Sequence, residues 1–249
     1  MADAAILEVD KVAAGYGGRA VFRDVDVAVG GGEILGLLGA NGSGKSTLVK
    51  AITGQIPLLA GRIAIGGIDL TASPERAKAE LGLAVEIGDL PDALTGRQYC
   101  EMVASIRGCA PDAFAAPDVV EALGVSRWLD RPIAAYSLGT RMKTAILGAL
   151  LGAPKLLIFD ESLNGLDPVS AFRMKRIIAD LAGSGRHAVL LSTHVVETIP
   201  TLCSRAVFLA DGRIVETWDK AGLTAAAASP GGFEARVMDA LLAAAPKAA

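Results

Sequence analysis

Nine consecutive residues, Gly39-Ala40-Asn41-Gly42-Ser43-Gly44-Lys45-Ser46-Thr47, follow the pattern G-x-x-x-x-G-K-[ST]. Glycines let a backbone close around an anion, and a lysine at the end adds a point charge for the β- and γ-phosphates of a nucleotide. The Ser46 hydroxyl is of the right type to ligate Mg²⁺. The apolar run Ile34-Leu35-Gly36-Leu37-Leu38 comes directly before, and Leu48-Val49-Lys50-Ala51-Ile52 continues after as a helix. A buried strand running through a glycine-rich turn into a helix aims unpaired N–H groups and the positive helix end at bound phosphate. The chemistry expected of this segment is the binding of a nucleotide's phosphates together with Mg²⁺.

A second set of groups stands at the end of Leu156-Leu157-Ile158-Phe159-Asp160-Glu161. Four apolar residues read as a buried parallel strand, and the carboxyl ends of such strands are where α/β sheets hold ligands. Asp160 is placed to hold Mg²⁺ directly or through water, and Glu161 to polarise an attacking water.

These groups need a sheet and helices to carry them. Residues Ile6 to Val12 and Val25 to Val29 alternate with period two, around a turn at Gly15-Tyr16-Gly17-Gly18. A further strand is expected near Arg62 to Ile65, before Gly66-Gly67. From Asp89 to Leu150 the spacing becomes helical, punctuated by prolines 91, 111, 117 and 132. Strand and helix then alternate: Lys155 to Phe159, Ser170 to Ala182, His187 to Ser192 and Val195 to Leu202. A strand pair follows, Arg205 to Ala210 and Arg213 to Trp218, turning at Asp211-Gly212. The alanine-rich tail from Ala225 is expected to be a peripheral, frayed helix. The fold class is therefore α/β, a P-loop nucleotide-binding core with an N-terminal antiparallel strand layer and an inserted helical subdomain. Residues 1–88 and 151–224 would form the core, 89–150 the helical part and 225–249 the tail.

Composition narrows the function classes. The chain has 249 residues, 52% of them hydrophobic and 20% charged, enough for a sizeable core. The longest apolar stretch, Ala145 to Ala153, is too short to span a bilayer and ends at Pro154-Lys155. The N-terminus carries Asp3 and no basic run, which argues against a signal peptide. A net charge of −3 offers no electrostatic case for nucleic acid. Three cysteines and two histidines suit neither a disulfide framework nor a Cys/His metal centre. The chain reads as cytosolic, with any membrane role coming through a partner.

The segment Ala135-Tyr136-Ser137-Leu138-Gly139-Thr140-Arg141 adds a serine at a helix start followed by small residues, a pattern suited to phosphate contact. Here the sequence resembles the ATP-binding subunits of ABC transporters, export-type, over nearly its whole length. Their signature, usually L-S-G-G-Q, would be Tyr136 to Thr140. Glycine is replaced by Leu138 and glutamine by Thr140, while Ser137 and Gly139 are kept. The resemblance extends to Tyr16, where the family stacks an aromatic ring on adenine. It extends to Leu81-Gly82-Leu83-Ala84-Val85-Glu86, with Glu86 in place of the Q-loop glutamine as an oxygen ligand for Mg²⁺ or its water. It also covers Asn164-Gly165-Leu166-Asp167-Pro168, which is similar to the D-loop and puts Asp167 near a dimer interface. Ser192-Thr193-His194 is similar to the switch histidine segment, at the end of a strand.

The resemblance implies an active Mg²⁺-dependent ATPase, since Lys45, Asp160, Glu161, Ser137 and His194 are all present. It implies a head-to-tail pair in which the P-loop of one subunit and Ser137, Leu138, Gly139 and Thr140 of the other close on each ATP. The implied partners are a second nucleotide-binding subunit, expected to be a copy of this chain, and a polytopic membrane permease. The protein would then sit at the cytoplasmic face of the membrane. The alternative is a soluble ABC-type ATPase acting outside transport, but such proteins resemble fused tandem pairs or carry long coiled-coil or basic insertions. A GTPase would be expected to carry an N-K-x-D motif, which the sequence lacks. A non-hydrolysing regulatory subunit fits poorly with Glu161 and His194.

Overall fold

The computed structural model describes residues 5–109, 117–163 and 166–244. Leu7–Tyr16 (β1) and Arg19–Val29 (β2) form an antiparallel hairpin. Gly17 and Gly18 turn it with φ of 58° and 76°, the left-handed pair that a two-residue hairpin turn requires. Both strands run further than period-two alternation indicates. Register shifts between Val9 and Val12 and again between Val12 and Ala14 reset the alternation, with Lys11 and Asp24 in the left-handed region at φ 46° and 51°. A bulge keeps a strand paired while moving its side chains to the other face, so sequence periodicity ends where the strand does not.

The next strand, Ile34–Leu38 (β3), enters a different sheet and leads to the helix Lys45–Ile52 (α1). Leu58–Ile65 (β4) and Ile68–Asp69 (β5) return to the first layer, whose order is β2-β1-β4-β5. A short helix, Pro74–Ala79 (α2), precedes Leu81–Ala84 (β6). β6 has no counterpart among the strands expected from alternation, because four residues are too few to show a period. The helical region contains Gly96–Ile106 (α3), Pro117–Leu123 (α4) and Leu138–Leu150 (α5), with one 3₁₀ turn before α3 and two between α4 and α5. α3 starts at a capping box in which Thr95 and Gln98 bond each other's backbone. Proline 111 lies outside the described residues.

The remaining core alternates: Leu156–Asp160 (β7), Pro168–Gly183 (α6), Ala188–Ser192 (β8), Thr198–Leu202 (α7), Arg205–Ala210 (β9) and Arg213–Trp218 (β10). The second sheet has the order β10-β9-β3-β8-β7-β6, parallel throughout except for β10 against β9. α7 is shorter than expected, since Thr193 Oγ1 accepts from the Val195 amide at 3.0 Å and holds a turn where a helix would begin.

Both faces of this sheet are buried. Leu35, Leu37, Ile158, Leu190 and Leu209 pack with α1 and the antiparallel layer, against Leu48, Phe22 and Ile63. The alternate residues Leu157, Phe159, Leu191 and Phe208 pack on the helical side, with Ile146 and Met174. Each such fully buried side chain contributes roughly 1.5–3 kcal/mol, so the strand ends are firmly placed. The tail forms two helices, Lys220–Ala228 (α8) and Gly232–Ala244 (α9), rather than one frayed segment. Phe233 packs edge-on to Trp218 with ring centroids 5.2 Å apart, and this ties α9 to the core.

Candidate functional site

The loop between β3 and α1 is shaped by close approaches. A Cβ on Gly39 would come within 2.4 Å of the Leu209 carbonyl oxygen, and Gly44 starts α1 at φ 107°. Lys45 is buried, and its Nζ donates to the carbonyls of Gly39 at 2.8 Å and Ala40 at 3.1 Å. The loop is thus wound around its own ammonium group. Asn41, Gly42 and Ser46 are exposed, whereas Ser43 buries an Oγ that has no hydrogen-bond partner. A phosphate fits this cradle: exposed loop backbone, a helix start and a cation that neutral carbonyls hold in place.

β7 and β8 are in register, with Asp160 beside Ser192. The Ser192 hydroxyl donates to Asp160 Oδ1. The Glu161 amide donates to the Ser192 carbonyl at 3.1 Å and lies 3.3 Å from its Oγ. These bonds hold Glu161 at φ 50°, a region in which a residue with a Cβ is strained by about 1–3 kcal/mol. The strained turn points Glu161 at the segment after β8, and His194 Nδ1 lies 3.6 Å from Glu161 Oε2.

Ser46, Glu86, Asp160 and Glu161 line one cavity of about 360 Å³, together with Met142 and Ala145 of α5. Glu86 is mostly exposed, with Oε1 4.0 Å from Lys50 Nζ. A hydroxyl and one or two carboxylates beside a phosphate site are the donor set that Mg²⁺ takes, with water and phosphate oxygens filling its remaining positions. Tyr16 closes β1 with half its surface exposed.

The signature segment stands apart from that cavity. Ser137 caps α5, accepting the Thr140 amide at 3.3 Å, and its Oγ is 2.9 Å from Thr140 Oγ1. Ser137 and Leu138 are exposed, while Thr140 is buried. Asp167 caps α6: its carboxylate accepts from the Ser170 hydroxyl at 2.6 Å and amide at 3.0 Å, and meets Lys143 Nζ at 3.2 Å. These donors hold its pKa well below the usual carboxylate range, the Ser170 hydroxyl most of all. Asn164 and Gly165, the start of the expected D-loop, lie outside the described residues.

Comparison with known proteins bears on this arrangement. The ABC transporter family matches residues 22–164. The chain belongs to the ABC transporter family. Among its ABC relatives is the uncharacterized ABC transporter ATP-binding protein YdbJ of Bacillus subtilis, 34% identical over 209 residues, which are 84% of this chain and 68% of that protein. The fluoroquinolones export ATP-binding protein MT2762 of Mycobacterium tuberculosis is 34% identical over 194 residues, 78% of this chain and 63% of that protein. The solved structure of an ATP-binding subunit of an ABC transporter superposes with a TM-score of 0.84 at 27% identity, covering 96% of this chain and 98% of that one. The α/β fold and the assignment as an ABC ATP-binding subunit follow.

Within this ABC subunit the fold brings Lys45, Ser46, Asp160, Glu161 and His194 to the carboxyl ends of β3, β7 and β8, and sets Ser137, Leu138 and Gly139 elsewhere on the surface. Read from sequence, Ser192 has no role beyond its place in the segment ending at His194. It stands two residues before His194, but its bond to Asp160 depends on strand register, which no local pattern reveals.

Proposed function

We propose that this chain hydrolyses ATP at a site completed by a second copy of itself and drives a separate membrane permease in the direction of export. The observation that carries this reading is the separation of the site into two parts. Ser46, Glu86, Asp160 and Glu161, the oxygen donors suited to Mg²⁺, line one cavity at the start of the P-loop helix, while Ser137 and Leu138 are exposed and absent from its lining. A serine at a helix start, facing outward with no part in its own chain's cavity, is placed to serve the cavity of a partner.

In this reading the Gly39–Thr47 loop wraps the phosphates, Lys45 exchanges its two loop carbonyls for β- and γ-phosphate oxygens, and Tyr16 stacks on adenine. Ser46 and Asp160 would hold Mg²⁺, with Glu86 as a further oxygen ligand for the metal or its water. The metal would supply neutralisation of the charge that develops on the phosphates during transfer. Glu161 polarises the attacking water and His194 steadies the γ-phosphate. Ser137 and Gly139 of the partner contact the same phosphate, Leu138 and Thr140 complete that segment, and Asp167 lies near the contact between subunits. ATP then favours the closed pair because only that state offers both halves of the site.

Among the described residues no helix is long and apolar enough to cross a membrane. In this reading the membrane part is a polytopic partner, and the chain sits peripherally at the cytoplasmic face. The export direction rests on the Tyr136-Ser137-Leu138-Gly139 form of the signature and on the mycobacterial relative named for export. Affinity purification of the tagged chain from gently solubilised membranes tests the proposal. A stoichiometric polytopic membrane protein is expected. Recovery only with ribosomal, DNA-bound or assembly partners would overturn the transport reading in favour of a non-transport ATPase.

A further inference from the structure

Ser137 and Thr140 make a hydroxyl–hydroxyl pair, and the glutamine of the usual signature carries no hydroxyl. Thr140 stands where the family carries glutamine, and it is 8% exposed at the first turn of α5. Its hydroxyl lies 2.9 Å from Ser137 Oγ, and its amide donates to the same oxygen at 3.3 Å. A threonine inside a helix commonly turns its hydroxyl back to a carbonyl one turn earlier. Thr144 does so, donating to the Thr140 carbonyl at 2.9 Å. Thr140 points its hydroxyl at Ser137 instead.

We infer that Thr140 is a positioning residue that sets the direction of the Ser137 proton, and does not itself touch nucleotide. The inference rests on the reading that Ser137 meets the partner's γ-phosphate. The pair shares one hydrogen bond that runs in either direction. When Ser137 donates to Thr140, no proton faces outward. When Thr140 donates, the Ser137 oxygen accepts from both the hydroxyl and the amide of Thr140, and its own O–H is free to point away from the helix. An anionic phosphate oxygen accepts but cannot donate, so it selects the second arrangement. The result is a chain, Thr140 O–H to Ser137 Oγ and Ser137 O–H to phosphate, in which each bond polarises the next. No proton changes its parent oxygen. A buried threonine fixes this geometry with two rotatable bonds and without reaching into the interface, which leaves exposed Leu138 as the outward neighbour of Ser137.

The test is an ATP titration of dimer formation by sedimentation, in the hydrolysis-blocked Glu161→Gln protein. Ser137→Ala, Thr140→Val and the two together are compared. Valine keeps the shape of threonine, so the fold should survive. Should it not, Thr140→Ala supplies the same comparison, and Thr140→Ser should behave as the parent. Thr140→Val is expected to raise the ATP concentration at half-dimerisation about three- to tenfold, the worth of one hydrogen bond. With Ser137→Ala already present it should add nothing, because the two residues act as one unit. No shift on Thr140→Val, or an equal shift with and without Ser137, overturns the inference. If Ser137→Ala alone shifts nothing, the reading of Ser137 in trans falls, and the inference with it.

Discussion

His194 presents Nδ1 to Glu161 Oε2 at 3.6 Å, from the segment following β8 to the turn following the adjacent strand β7. The carboxylate is positioned by a strained backbone, and the imidazole reaches it from the neighbouring strand. Removing the imidazole should leave nucleotide binding intact and slow the chemical step. For His194→Ala we expect kcat to fall by about a hundredfold or more, with KM for ATP changed less than about threefold. Steady-state ATPase assays check this, and a variant that alters only KM would remove His194 from the chemistry.

Ser192 is the support beneath both acids. Its hydroxyl donates to Asp160, and its carbonyl receives the Glu161 amide. Ser192→Ala removes the hydroxyl and keeps the carbonyl. Activity should fall about ten- to a hundredfold, with a higher Mg²⁺ requirement, as is usual when a group that orients a metal ligand is lost. Titration of ATPase activity with Mg²⁺ at saturating ATP measures both effects. Unchanged Mg²⁺ dependence would mean that Asp160 needs no such support.

Asp167 should reveal itself through acid. Its pKa is depressed in the folded protein by the Ser170 hydroxyl and amide and by Lys143. A depressed carboxylate stabilises the fold fully above its unfolded value of about 3.9, and the contribution is lost as pH falls towards the folded value. Asp167→Asn should therefore lower Tm at pH 7, and the gap from the parent should narrow below about pH 4. Melting curves across that range show whether it does. A gap independent of pH would assign the effect to shape alone.

The C-terminal helices are part of the core. Phe233 is buried against Trp218, which also meets Phe208 at 6.5 Å. Phe233→Ala should cost about 3–5 kcal/mol of unfolding free energy. Denaturant titration measures the loss, and a loss below about 1 kcal/mol would make α9 an independent appendage.

The parts of this molecule that could be read from its sequence are those set by neighbours along the chain. The strand, glycine loop and helix around Lys45 lie within twenty residues, so pattern alone located the cradle. The β9–β10 hairpin was legible for the same reason, from Asp211-Gly212 between two runs with strand character. Contacts between distant segments were not legible. Ser192 meets Asp160 only because β7 and β8 align without a shift. The tail misled through composition: its alanines suggest fraying, while Phe233, Val237 and Ala240 are what bury it.

The claim that one ATP site is built from two copies is tested most directly by sedimentation of the Glu161→Gln protein with and without ATP. The split arrangement predicts a monomer alone and a stable dimer with ATP, lost again on adding Lys45→Ala and formed only at higher ATP concentration on adding Ser137→Ala. A protein that stays monomeric while binding ATP, or that still hydrolyses it at the parent rate, would contradict the account.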